Sequence, residues 1–243
     1  MTVHRSTIAR RTGVAYLGVV LCGIFAEFFV RQSLVVPGDA LATTRAIADS
    51  AGFFGLGIGA DLLMVALDVG VAYGLWRLLA PVHRGLAVAA TGFRLVQAAT
   101  LAINLLNLSR ALTLAGETGD DLSLASQVLA SVETHALVYD LGLIPFGLAC
   151  LMLGPLLHRA GGPRPIAWAL SATGLVYLVG SFAALFAPSL SVAIDPFYGL
   201  AIVAEPSMAV WLIVRASRWD QRKKGMQRWA TPSPVTQRSP LKV

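Results

Sequence analysis

The sequence predicts an all-α integral membrane bundle of six transmembrane helices, and three observations carry that prediction. Six apolar stretches are each long enough to cross a hydrocarbon core, for which about 20 helical residues suffice. Only 13% of the 243 residues are charged and 56% are hydrophobic, with a mean hydropathy of +0.69, whereas soluble domains carry roughly 25% charged residues. The arginines and lysines fall overwhelmingly into alternate loops.

The predicted spans are 13–36, 53–79, 85–108, 126–158, 166–187 and 197–214. In the first, Leu21 stands directly before Cys22, where a lipoprotein cleavage site needs a small residue, and the apolar run exceeds a signal-peptide core, so the span is retained. A turn signal, Pro37-Gly38-Asp39, follows it. The second span carries Asp61 and Asp68, and the third Arg94, Gln97, Asn104 and Asn107. An acidic loop with Gly116, Glu117, Gly119, Asp120 and Asp121 leads to the fourth span, which carries Glu133, His135, Tyr139 and Asp140. The sixth holds Glu205 next to Pro206, whose missing amide predicts a kink or a released carbonyl beside that carboxyl. Cys22 and Cys150 sit singly in two different spans and read as packing residues, without the spacing of a disulfide framework or a zinc site.

Residues 1–214 thus form a six-span domain, and residues 215–243 a basic tail. Arg218, Arg222, Lys223, Lys224 and Arg228 lie near Trp219 and Trp229, a composition expected to be disordered and to rest on anionic lipid headgroups. Fifteen of the nineteen Arg and Lys residues lie in the N-terminus, the second and fourth loops and the tail; Arg31, Arg45 and Arg110 lie on the other side, and Arg94 is inside a span. By the positive-inside rule both termini are expected in the cytoplasm, in the cytoplasmic membrane. The net charge of +6 therefore reads as topology, with membrane lipids as partners and no nucleic acid expected.

Six carboxyls and one arginine lie where lipid should exclude charge, and an ionisable group at mid-span costs about 3 kcal/mol or more, so such groups mark functional sites. At about 1.5 Å rise per residue, Glu27, Asp61, Glu133 and Glu205 are expected roughly 10 to 14 Å below the outer edge, and Asp68, Arg94 and Asp140 at roughly 21 Å. Asp61 and Asp68 are seven residues apart, as are Glu133 and Asp140, and each pair is expected along one stripe. Arg94, Gln97, Leu101 and Asn104 likewise share a face that should point into the bundle. His135 and Tyr139 form a second stripe, and Asn104 and Asn107 add amides near the outer mouth. Six acids against one buried base demand that several carboxyls be protonated, or that a cation, a metal or a basic ligand supply the missing charge.

The segments Phe25 to Ala40, Gly57 to Met64, Phe93 to Ala99 and Asn104 to Leu108, together with the region of Glu133 and His135, resemble the bacterial membrane family termed domain of unknown function 4386. The likeness runs over nearly the whole chain up to the basic tail. It implies a multi-pass bacterial membrane protein and supplies no activity.

The functional expectation is binding or proton-coupled movement of a small or amphiphilic ligand. Glu27, Asp61, Glu133, His135 and Glu205 would form the ligand or proton site. Asp68, Arg94 and Asp140 would form an inner ion-pair network supported by Gln97, Asn104, Asn107 and Tyr139. Two alternatives stand beside it. One is an intramembrane enzyme acting on a lipid or isoprenoid by acid catalysis, or with a divalent metal held by the carboxylates and His135. The other is a non-catalytic scaffold working through its tail. The chain has no H-E-x-x-H, no G-x-S-x-G and no paired Cys motif, and no metal ligand is assigned.

Overall fold

Long apolar stretches in a medium without water must satisfy every backbone amide internally, which leaves the helix as the local solution. The computed structural model describes residues 4–117 and 121–217. Six of its helices are long and apolar enough to span a membrane: α1 (Arg5–Leu34), α3 (Ala51–Leu79), α4 (Arg84–Glu117), α5 (Leu122–Arg159), α6 (Arg164–Phe186) and α8, whose helical stretch Gly199–Val214 is preceded by a 3-10 turn, Asp195–Tyr198. Two short helices, α2 (Ala40–Asp49) and α7 (Pro188–Ile194), lie in connections. The protein is a six-span membrane protein. Most of the basic tail lies outside the described residues.

Each spanning helix packs on its predecessor in the chain, and α8 returns to pack on α1, so the six close into a ring. The closure depends on a missing side chain. A Cβ at Gly13 would stand 2.6 Å from the Ala209 carbonyl oxygen, so only glycine lets α1 and α8 approach this closely. At the crossing of α5 and α6, Gly147 and Gly174 face one another, and a Cβ on either would lie within 2.7 Å of the other's carbonyl oxygen. The outer perimeter is apolar, with Leu21, Leu62, Ile103, Leu106, Trp168 and Phe186 exposed, as a lipid-facing surface requires.

The loop after α1 turns at Gly38, whose φ of 76° falls in the left-handed region. Asp39 then caps α2 by accepting a 2.9 Å hydrogen bond from the Ala42 amide. Thr43 ties the two ends of this turn, accepting from the Val36 amide and donating to the Val36 carbonyl. Buried Thr43, Thr44 and Ile47 seat α2 against α4 and α5. The segment expected as a loop is thus a helix folded over one end of the ring, because its few apolar residues recur at helical spacing.

Arg5, Arg10, Arg11, Arg77, Arg84, Arg159, Arg164 and Arg215 all belong to the end of the ring where the chain enters and leaves. Arg45 and Arg110 belong to the opposite end. Two apolar cores follow from this layout. A large one near the arginine-rich end includes Tyr16, Leu78, Leu157, Leu170 and Leu212, and a smaller one under α2 includes Val30, Ile47, Phe54, Leu108 and Val128.

Candidate functional site

Residues Phe25–Arg31 of α1 form a π-helical segment, in which the Gln32 amide donates to the Glu27 carbonyl five residues back. Such a segment holds one residue more than a regular helix over the same turns, and it re-aims the side chains that follow; π-segments recur at functional sites. Here Arg31 turns inward and is buried. Its Nε donates to Glu27 Oε2 at 2.7 Å and one terminal nitrogen donates to Asp61 Oδ2 at 2.5 Å, joining α1 to α3. The Asp61 side chain is 3% exposed and that of Glu27 47%. Asp61, expected among acids that outnumber the buried cations, thus has one, and that cation is Arg31, counted from the sequence among the charges at the outer end.

A second polar chain runs deeper and ties five helices together. Arg94 on α4 donates to Asp68 on α3 and to the Tyr16 hydroxyl of α1. Its guanidinium lies 4.9 Å from the centre of the Tyr16 ring and 4.8 Å from that of Phe146, a cation-π sandwich in a dry interior. Tyr16 also lies beside the Glu205 carboxyl on α8, which accepts a 2.7 Å bond from the Tyr177 hydroxyl of α6. Glu205 therefore neighbours the Arg94 chain while lining the same cavity as Glu27. Tyrosine side chains are long enough to bridge the two levels. Tyr16 and Tyr177 are links that the sequence did not single out.

Between α1, α5, α6 and α8 lies a cavity of about 650 Å3. Its walls are mostly apolar, with Val19, Val20, Ile24, Phe28, Leu143 and Ile202 among them, and Glu27, Arg31, His135, Tyr139, Asp140 and Glu205 face it. Gln32, Val35 and Pro37 carry it to the end of the ring opposite the chain termini. Pro206 lies within α8 and removes the amide that would bond the carbonyl of Ile202, a residue in this wall.

His135 and Asn104 form a reciprocal clasp between α5 and α4: the Asn104 side-chain amide donates to the His135 carbonyl at 2.9 Å, and His135 Nδ1 lies 3.4 Å from the Asn104 carbonyl. A carbonyl only accepts, so the proton of the neutral ring sits on Nδ1 and Nε2 presents a lone pair. That Nε2 is buried without a hydrogen-bond partner. Asn107 donates to the Asn104 side-chain oxygen at 3.0 Å and braces it.

A smaller cavity of about 60 Å3 adjoins the first, and Met64, Tyr139, Leu143 and Tyr177 line both. Asp68 and Gln97 also line it, and Asp68 Oδ2 and Gln97 Oε1 are buried acceptors without partners.

The predicted site residues thus divide. Glu27, His135, Asp140 and Glu205 share the large cavity, and Asp61 reaches it through Arg31. Asp140 stands in the cavity wall, whereas Arg94 pairs with Asp68. Glu133 is exposed and not in the cavity wall. Its seven-residue spacing from Asp140 drifts about 20° around the helix, which suffices to carry it off a face on which Asp140 is already at the rim. Among the described residues, no group of three or more His, Cys, Asp and Glu side chains is arranged to hold a metal.

No curated protein and no solved structure matches the chain. A family model described as Domain of unknown function (DUF4386) matches residues 11–216, which spans all six membrane helices with the cavity and both arginine networks, so the chain belongs to the DUF4386 family.

Proposed function

We propose that the protein binds a small amphiphilic ligand inside the membrane, in the cavity between α1, α5, α6 and α8, and that proton exchange at its carboxyls accompanies the ligand's movement. The observation that carries this reading is the cavity itself. At about 650 Å3 it falls within the range of small-molecule sites, with apolar walls and a few convergent polar groups. A ligand with an apolar body and a polar end matches that division. On the arginine distribution, the termini are cytoplasmic in the cell's inner membrane and the mouth at Pro37 faces outward. The surrounding lipids are the expected partners, with no role for nucleic acid.

The test is photolabelling of the purified protein in lipid nanodiscs with a diazirine-bearing dodecanol, followed by mapping of the labelled peptide. Labelling of wall residues around Val20 and Ile202, abolished in a folded Val20→Trp variant, is the expected result. Labelling confined to the outer perimeter, or undiminished in the filled variant, would remove the cavity as a binding site.

A further inference from the structure

The chemistry of the ligand's polar end follows from how charge is shared at the cavity wall. Glu27, Arg31 and Asp61 place two carboxylates on one guanidinium. Asp61 is sealed behind the wall, and Glu27 has a side chain almost half exposed and faces the cavity. The negative charge that Arg31 leaves unbalanced is therefore presented by Glu27. Further acceptors stand around the cavity. The Asp140 and Glu205 carboxyls line it, the latter bonded by Tyr177, and the His135 ring stands in its wall with an unpartnered Nε2. Arg31, the one guanidinium among the lining residues, already donates from Nε and from a terminal nitrogen to its two acids. An anionic end would meet the Glu27 carboxylate, and a neutral hydroxyl would leave the excess charge unanswered; an ammonium brings the charge that Arg31 alone does not supply to Glu27 and Asp61.

We propose that the ligand is a lipophilic amine, with its ammonium held at the Glu27 carboxylate and its hydrocarbon chain lying along Val19, Val20, Leu143 and Ile202. The proposal rests on the cavity reading above and names its ligand class. Selectivity comes from the head alone, since the apolar wall accepts any chain of similar length.

The experiment is competition against the dodecanol photoprobe at neutral pH, using dodecylamine, dodecanol and dodecanoate, which share one chain and differ only in the head. Dodecylamine is expected to displace the probe at a concentration about tenfold below dodecanol, and dodecanoate to be the weakest. Glu27→Gln is expected to bring the amine and the alcohol to equal competition, and Glu27→Asp to keep the preference for the amine. Dodecanol or dodecanoate competing as well as the amine would overturn the amine assignment while leaving the cavity in place. A probe that never reaches the cavity fails the earlier reading instead, and the mapped label tells the two failures apart. Amine preference unchanged in a folded Glu27→Gln variant would overturn the assignment of the charge to Glu27.

Discussion

Arg94 and Arg31 are both buried in membrane helices and both paired with an aspartate on α3, yet their surroundings differ. Arg94 is 1% exposed, held between two aromatic rings and bonded to Asp68 and Tyr16. Asp68 answers its charge directly, and every contact joins helices. Arg31 is shared by two acids, one sealed and one open to a cavity large enough for a ligand. An intramembrane charge therefore reads as architecture or as a site according to whether its neighbours balance it and whether space adjoins it.

The largest expected effect comes from breaking the balanced pair. Arg94→Met leaves Asp68 buried without a counter-charge and is expected to destabilise the fold by about 3 to 5 kcal/mol, measured by denaturant unfolding in detergent micelles. Asp68→Leu combined with Arg94→Met should recover most of that loss. A single variant as stable as the wild type would mean that the deep pair does not clasp the bundle.

A loss smaller by about 1 to 2 kcal/mol is expected of Arg31→Met, because Asp61 is left buried without a counter-charge as Asp68 is, but no pair of aromatic rings loses a cation. The same variant should bind dodecylamine more tightly, since the Glu27 carboxylate then has no guanidinium to share. Equal stability losses at the two arginines, with amine binding unaltered, would erase the distinction between them.

The smallest change sharpens the boundary of the site. Glu133→Gln alters an exposed side chain outside the cavity, so its stability is expected to stay within about 0.5 kcal/mol of the wild type. Photoprobe labelling should also be unchanged. Loss of labelling in this variant would extend the site beyond the present wall.

Several features were legible in the sequence for plain reasons. Six spans follow from stretches of about 20 apolar residues, and Asp68 and Arg94 stand out because ionisable side chains are rare at such depths. The stripe of Arg94, Gln97, Leu101 and Asn104 is buried along one face of α4, and that spacing is set by 3.6 residues per turn. The π-segment was not legible, because it depends on which carbonyl each amide selects, and the side-chain pattern does not mark that choice. Arg31 accordingly counted as a charge at the outer end of its span and is a wall residue. Tyr16 and Tyr177 carry no sequence mark that separates a linking hydroxyl from a packing ring.

By itself, the sequence determined the all-helical six-span class, through apolar length and the need to satisfy amides within each segment. It also determined where the ionisable groups lie along each span. Tertiary structure alone decided which acid met which base, and which wall kept open space. Those outcomes depend on helix rotation and on close approach at Gly13, Gly147 and Gly174, where a change of about 20° or one added Cβ would choose different partners.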